Sequence, residues 1–280
     1  MKAFAQRYMR NYGAVAGLAI VLLVVIVALA APLLYEESPW MMVADPLIPP
    51  FTNADYPFGT DMLGRDITAG LVWGARVSLM VGLLSTAVAL VFGILVGAVA
   101  GYCGGRVDDL LMRFTEFFQT IPQLAMAVVL VAILSPSVYS IMGAIAVVSW
   151  PPAARLVRSE FMTLKQREFV QAAIVIGQTP ARIVGSQILP NAMSPIIVSA
   201  SFMVATAILT ESALSFLGLG DRNLMSWGFM IGAARTALRQ AWWISLFPGV
   251  AILLTVLALN LVGEGLSDGL NTRLDARSRA

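Results

Sequence analysis

Residues 117–154 read FFQTIPQLAMAVVLVAILSPSVYSIMGAIAVVSWPPAA, and this stretch decides how many times the chain crosses a membrane. It contains no charged residue over 38 positions. A single helix of that length would extend about 57 Å, nearly twice the roughly 30 Å of hydrocarbon in a bilayer. Ser135-Pro136-Ser137 lies near the middle, and a proline between two serines favours a turn. We therefore predict two spans here, at 117–134 and 138–154.

Four further charge-free runs are each long enough to span a bilayer, which requires about 20 residues. The chain is 59% hydrophobic and 12% charged, about half the charge of an average soluble domain. We therefore predict an all-α integral membrane protein with six transmembrane helices. The predicted spans are 11–35, 77–105, 117–134, 138–154, 191–212 and 240–263.

The distribution of Lys and Arg indicates how the spans are oriented. With six spans and both termini in the cytoplasm, thirteen of the eighteen basic residues lie on the cytoplasmic side. With residues 117–154 as one span, only eight of them would do so. Because basic residues are enriched in cytoplasmic loops, the six-span topology is favoured. The predicted cytoplasmic pieces include 1–10, 155–190 and 264–280, whereas the loops at 36–76 and 213–239 are external.

Residue types needed for enzyme chemistry are mostly missing. The chain has no histidine and a single cysteine, Cys103, so it lacks the usual general base and cannot form an internal disulfide. Its two lysines, Lys2 and Lys165, do not lie in a phosphate-binding Gly-x-x-x-x-Gly-Lys-Ser/Thr loop. We expect no enzymatic activity, no nucleotide site and no metal site in this chain.

The predicted spans also lack the ionisable residues that ion-coupled transporters place within the membrane. An ion-coupled secondary transporter is therefore an alternative without an identified coupling site. Glu211, near the outer end of the fifth span, has two interpretations. It faces a helix interface or water, or it is a polar residue at the mouth of a pathway.

The connection 155–190 is predicted to contain two helical pieces. The first, at 162–176, has four apolar residues at the spacing of one helix face, which are Phe169, Ala172, Ala173 and Ile176. Gly177 suits a helix C-terminus, Thr179-Pro180 suits the start of a second helix, and Pro190 marks its junction with the next span. The segment is either an amphipathic linker on the lipid surface or a docking element for a soluble partner.

Within this connection, Gln171-Ala172-Ala173 is followed by Gly177 and then by Leu189-Pro190. The arrangement resembles the EAA loop of ATP-binding-cassette (ABC) importer permeases, of pattern E-A-A-x3-G-x9-I-x-L-P. Gln171 replaces the usual Glu, and Gln187 replaces the usual Ile. The resemblance implies that these residues contact an ATPase subunit and couple it to transport.

Residues 58–66, FGTDMLGRD, are similar to an external signature of the peptide and nickel permease subfamily. Further similarities, which extend the resemblance over about 10–275, lie at 104–108, 112–113, 214–220, 226–228 and 247–249. The signature residues are Gly59, Asp61, Gly64, Arg65 and Asp66. They either contact a binding protein or gate the outer mouth, or they form a glycine turn braced by an Arg–Asp pair.

The resemblance implies a type I ABC importer permease fold, with the permease domain at 77–266, in the inner membrane of a bacterium. The implied partners are a homologous second permease in a heterodimer, one or two cytoplasmic ABC ATPases, an external substrate-binding protein and membrane lipid, with no nucleic acid. ATP and Mg²⁺ would bind to the ATPases, so this chain needs no cofactor. The implied substrates are di- or oligopeptides, and nickel or another small solute is the alternative.

Overall fold

The computed structural model describes residues 2–36 and 38–270. Residues 271–280 of the predicted cytoplasmic C-terminus lie outside the described residues. Within the described ranges, the regular secondary structure is helical, apart from two isolated β-bridges. The long helices are apolar enough to cross a membrane, so the prediction of an all-α membrane protein is confirmed.

The α-helices of the described residues are α1 Lys2–Arg10, α2 Tyr12–Leu34, α3 Ile67–Cys103, α4 Gly105–Thr120, α5 Gln123–Leu134, α6 Val138–Lys165, α7 Glu168–Val175, α8 Pro180–Ile183, α9 Leu189–Leu214, α10 Trp227–Ala233 and α11 Trp243–Leu270. Two π-helical turns, Val184–Ile188 and Ser215–Leu219, adjoin the ends of α9. A 3₁₀ turn, Ala234–Thr236, follows α10.

Five helical stretches of the described chain are long and apolar enough to span a bilayer. They are α2, α3, α6, the continuous stretch Pro180–Leu219, and α11. α4 and α5 form a sixth candidate only as a pair, because they are bent by 83° relative to each other. The six-span topology with both termini in the cytoplasm stays a prediction.

The chain predicted as the third span, 117–134, is not one continuous helix. Ile121 is extended, with φ −95° and ψ 132°, and it separates α4 from α5. Pro122 explains the bend, because proline lacks an N–H and disfavours a helical backbone at the residue before it. α5 has 12 residues and extends about 18 Å, which is too short to span the hydrocarbon alone.

The Ser-Pro-Ser sequence interrupts the helical path a second time. Ser135 follows α5 with a positive φ of 69°. Ser137 caps α6, because its hydroxyl oxygen accepts a hydrogen bond from the Ser140 N–H at 3.1 Å. The chain therefore reverses between α5 and α6 at the position that its local sequence indicates.

α3 and α6 both extend beyond the predicted spans at 77–105 and 138–154. α3 begins ten residues earlier than predicted because the Asp66 carboxylate caps it, accepting hydrogen bonds from the N–H groups of Thr68 and Ala69. Arg76 is exposed on α3, so a search for charge-free runs misses this first part of the helix. α6 continues eleven residues past 154 and enters the predicted cytoplasmic connection.

α3 contacts most of the other long helices and packs most closely against α6. Gly93, Gly97 and Gly101 recur every four residues along the side of α3 that faces α6. A Cβ added to Gly93 would lie 2.7 Å from the Ala153 Cβ, and one added to Gly101 would lie 2.7 Å from the Arg158 carbonyl oxygen. Small residues at this spacing allow membrane helices to approach each other closely, so the two helices form the centre of the bundle.

Candidate functional site

The predicted docking element lies between α6 and α9, and we call residues 166–183 the interhelical segment. Its side chains Val170, Ala173 and Ile183 are at most 4% exposed. They belong to one apolar cluster with Phe161 of α6. The segment is therefore attached to the end of α6 by a small apolar core.

The apolar stripe predicted for this segment is mostly exposed. Of its four members only Ala173 is buried, whereas Ala172 is exposed and Ile176 is 73% exposed. The prediction of one helix over 162–176 is wrong, because the chain breaks at 166–167 between α6 and α7. α7 is a separate helix of eight residues, and Val170 and Ala173 form its buried side.

α7 ends in an exposed apolar tip. Val175 is 85% exposed and Ile176 is 73% exposed. Phe169 and Ile174, on the same short element, are each more than 40% exposed. A contiguous group of exposed large apolar side chains is typical of a surface that a partner covers.

Gly177 terminates α7. Its φ is 77°, and its N–H donates a hydrogen bond of 3.0 Å to the carbonyl oxygen of Ile174. The next residue, Gln178, donates its N–H to the carbonyl oxygen of Ala173 at 3.1 Å. These two bonds form a Schellman motif. The motif favours glycine at position 177, because the backbone there is left-handed.

The second helical piece continues into the following span without a break at Pro190. Thr179 precedes α8 with an extended backbone, and Pro180 occupies its first turn. The helix then continues through the π-helical turn at 184–188 into α9, so Leu189 and Pro190 lie inside one helical stretch. The wider turn accommodates Pro190, which has no N–H to donate to the preceding turn.

Gln171 connects the interhelical segment to α6. Its Nε2 donates a hydrogen bond of 2.8 Å to the carbonyl oxygen of Lys165, one of the last carbonyls of α6, which the helix itself leaves unpaired. The Lys165 Nζ donates to the carbonyl oxygen of Tyr102 at 2.6 Å and lies 5.2 Å from the centre of the Tyr102 ring. Tyr102 belongs to the last turn of α3, so two side chains link α7, α6 and α3.

We call residues 59–66 the signature turn, which lies at the opposite end of α3. The Asp61 carboxylate accepts hydrogen bonds from the N–H groups of Leu63 and Arg65 at 2.8 and 3.0 Å, and from the Arg65 Nε at 2.6 Å. The guanidinium of Arg65 also lies 5.2 Å from the centre of the Trp40 ring. Arg65 is 9% exposed, so its ion pair with Asp61 is largely shielded from water.

The glycines of the signature turn have backbone conformations that other residues avoid. Gly59 and Gly64 have φ values of 78° and 75°. A Cβ on Gly59 would collide with the carbonyl oxygen of Ile48, and one on Gly64 with that of Ala44. Asp66 caps α3. Each signature residue therefore contributes either a contact or a backbone conformation to the turn. A role in binding-protein contact or in gating stays a prediction.

Glu211 is buried in the last turn of α9, with 2% of its surface exposed. Its Oε1 accepts hydrogen bonds from the hydroxyls of Ser215 and Ser226 at 2.8 and 2.7 Å. Ser226 also caps α10, because its oxygen accepts a hydrogen bond from the Phe229 N–H. Glu211 therefore faces a helix interface, which is its first interpretation, and a pathway mouth at this end stays a prediction.

Sequence reasoning missed the contacts of α10, which join parts of the chain about 150 residues apart. The Trp227 Nε1 donates to the carbonyl oxygen of Leu71 at 2.9 Å, and its backbone N–H donates to the Ser78 Oγ at 3.2 Å. A cavity of about 240 Å³ lies between the signature turn and α10 and is lined by Asp61 and Met230, among others. No local pattern in the sequence signals these long-range contacts.

The candidate residues thus form two separate groups. The signature turn, Glu211 and α10 surround the start of α3, whereas the interhelical segment lies near its end. α3 has 37 residues and is about 55 Å long, so no single small ligand contacts both groups. The arrangement suits a membrane protein that binds different partners at its two ends.

Two family models match the sequence. The model described as "Binding-protein-dependent transport system inner membrane component" matches residues 93–276. The model described as "N-terminal TM domain of oligopeptide transport permease C" matches residues 1–56. The first match includes the interhelical segment, Glu211 and α10.

Curated relatives align over nearly the whole chain. The di/tripeptide transport system permease protein DppC of Pseudomonas aeruginosa is 41% identical over 280 residues, which cover 98% of this chain and 92% of the relative. The oligopeptide transport system permease protein OppC of Haemophilus influenzae is 36% identical, with 96% of this chain and 87% of the relative covered.

Solved structures share the fold. An inward-facing conformation of the MetNI methionine ABC transporter has a TM-score of 0.60 at 18% identity, covering 70% of this chain and 93% of the other. An amino acid ABC transporter crystallised with histidines has a TM-score of 0.56 at 12% identity, covering 71% and 94%. At these identities the similarity concerns the fold alone.

Proposed function

The chain belongs to the family of binding-protein-dependent transport system inner membrane components, and we propose that it is the permease subunit of an ABC importer of di- or oligopeptides. The observation that carries the proposal is the nearly full-length similarity to peptide permeases. An external binding protein delivers the peptide, and a second, homologous permease forms the pathway together with this chain in the bacterial inner membrane.

The energy for transport comes from ATP hydrolysis on cytoplasmic ATPase subunits, which bind ATP and Mg²⁺. The interhelical segment is the surface on which one ATPase docks. Two observations support this role: the exposed apolar tip at Val175 and Ile176, and the Lys and Arg distribution that favours a cytoplasmic position for 155–190.

Movement of the interhelical segment reaches three long helices. Gln171 transmits the movement to α6 through its hydrogen bond to the Lys165 carbonyl oxygen. The Lys165 side chain connects the same end of α6 to Tyr102 of α3. From Pro180 onward the segment is continuous with α9. Closure of the ATPases therefore displaces α3, α6 and α9 together as one packed group rather than one helix alone.

The same helices carry the displacement to the external end. α10 is hydrogen-bonded to α3 through Trp227 and to α9 through the Glu211–Ser226 pair. Because α10 contacts both α3 and α9, displacement of the packed group also moves α10 and the signature turn, which precedes α3. The outer mouth of the pathway opens or closes in this way.

Reconstitution tests the proposal. The permease is co-purified with the second permease, the ATPases and the binding protein, and placed in proteoliposomes with ATP inside the compartment that corresponds to the cytoplasm. We expect ATP-dependent uptake of a radiolabelled dipeptide or tripeptide and no uptake of Ni²⁺. Uptake of Ni²⁺ without peptide uptake would reject the peptide assignment. Peptide uptake that follows an ion gradient without ATP would reject the importer class.

Reporter fusions test the orientation on which the docking role depends. A reporter inserted near Ile174 should be cytoplasmic, and one inserted near Met225 should be external. The reversed pattern would remove the interhelical segment from the ATPase side of the membrane.

A further inference from the structure

A cleft of about 360 Å³ opens between the end of α9 and α10, on the loop 213–239. Backbone of Gly218, Gly220 and Gly232 contributes much of its wall, and the side chains of Arg222 and Arg235 line it. The volume is at the lower end of the range for small-ligand sites. It accommodates a charged side chain together with several water molecules.

The guanidinium of Arg235 is held in place at the cleft. Its Nε donates a hydrogen bond of 3.1 Å to the carbonyl oxygen of Gly232. The guanidinium carbon lies 5.6 Å from the centre of the Phe216 ring, which it covers. Neither contact uses the two terminal nitrogens, so Arg235 retains a fork of donors for a ligand.

The two arginines have no carboxylate partner among the described residues. Asp221 is adjacent to Arg222 in the sequence, but its carboxylate accepts hydrogen bonds from the N–H groups of Val138 and Asn223 at 2.9 and 2.8 Å. Both arginines are exposed. The cleft therefore presents two exposed guanidinium groups that form no ion pair with a described carboxylate.

The shape of the cleft is fixed by tight backbone packing around Ser215. A Cβ added to Gly220 would lie 2.7 Å from the Ser215 Oγ, and one added to Gly232 would lie 2.7 Å from the Ser215 carbonyl oxygen. The Ser215 hydroxyl in turn donates to the buried Glu211. Because these positions leave no room for a side chain, the cleft is a formed feature of the fold.

We propose that this cleft receives an acidic side chain of the external binding protein when that protein docks on the permease. The inference rests on the proposed function, which places 213–239 outside the cell. Arginine binds carboxylates through two parallel hydrogen bonds and is enriched in protein interfaces. An exposed pair of arginines also attracts an acidic surface during encounter.

Binding of the purified binding protein to the complete transporter in lipid nanodiscs tests the proposal. R222Q and R235Q each remove one charge from the cleft, and R239Q removes one charge from an exposed arginine that does not line it. We expect the double variant R222Q/R235Q to raise Kd about tenfold at 50 mM NaCl and less than about threefold at 0.5 M NaCl, because salt screens exposed charges. R239Q should change Kd less than about twofold.

Controls separate the proposal from its alternatives. The double variant R222K/R235K retains the charges but not the planar fork of donors, so it should recover part of the affinity, whereas general misfolding would leave it no better than the Gln variants. An equal loss in R239Q would mean that only net surface charge matters, and would overturn the proposal. A loss seen only with peptide-loaded binding protein would assign the carboxylate to the cargo and would also overturn it. Failure of the wild-type transporter to import peptides, with docking still dependent on the cleft, would reject the substrate and retain the inference.

Discussion

G177A isolates the backbone contribution of the turn that shapes the interhelical segment. Gly177 has φ 77°, and no heavy atom lies within 4 Å of an added Cβ, so the methyl group meets no steric obstacle. The cost is therefore conformational, about 1–2 kcal/mol for a non-glycine residue in the left-handed region. A free-energy change of that size alters the ratio of ordered to disordered segment by about 5- to 30-fold.

G185A is the matched control, because an added Cβ at Gly185 also has open space but the backbone there is not left-handed. It should be neutral or stabilise the helix by up to about 1 kcal/mol, since alanine has the higher helix propensity. G177N should recover part of the loss, because asparagine tolerates the left-handed conformation better than alanine does.

Hydrogen exchange of residues 168–178 in the membrane-embedded transporter measures the effect. We expect G177A to accelerate exchange of these amides by about 5- to 30-fold and to reduce peptide uptake per ATP hydrolysed, with G185A close to the wild type. Equal exchange in G177A and G185A would refute the claim that the turn at Gly177 holds the segment in place.

Three further substitutions test the contacts between α7, α6 and α3 and the docking role of the exposed tip of α7. Q171A removes a hydrogen bond to the end of α6, worth about 0.5–1.5 kcal/mol, and should accelerate amide exchange in α7 severalfold, whereas Q166A should not. G97A inserts a methyl group against α6 and should destabilise the permease by about 1–3 kcal/mol in a thermal unfolding assay, whereas G143A, which has open space, should not. V175E places a charge on the exposed tip and should reduce ATP-driven uptake at least about tenfold at an unchanged amount of permease in the membrane; unchanged uptake would contradict the docking role.

Local sequence chemistry predicted the helix breaks that depend on one or two residues. Ser135-Pro136-Ser137 separates α5 from α6, and Gly177 ends α7 in the left-handed conformation expected of a helix-terminating glycine. These positions were predictable because proline narrows and glycine widens the range of backbone conformations, whatever the tertiary contacts. The long apolar helices were predictable for the same kind of reason, since the bilayer imposes a minimum length on each.

The remaining boundaries depend on tertiary contacts. The chain breaks between α6 and α7 without a glycine or proline at 166–167, where the side chain of Gln171 and the burial of Val170 and Ala173 compensate for the lost helical hydrogen bonds. The helix does not break at Pro190, because the wider π-helical turn before this residue accommodates a proline that has no N–H to donate. The first ten residues of α3 include a charge, yet they are helical because Asp66 caps them and α10 packs against them.

The departure at Gln171 from the family pattern has a physical consequence. A glutamine amide donates to the Lys165 carbonyl, which an ionised glutamate cannot do, so the neutral residue supplies a donor to a helix end that needs one. A glutamate at 171 would attract the Lys165 ammonium instead and compete with its contact to Tyr102. In this chain the amide and the ammonium therefore have separate tasks, the first joining α7 to α6 and the second joining α6 to α3. The two polar contacts therefore reinforce the apolar packing, with Gln171 fixing the interhelical segment to α6 and Lys165 fixing that end of α6 to α3.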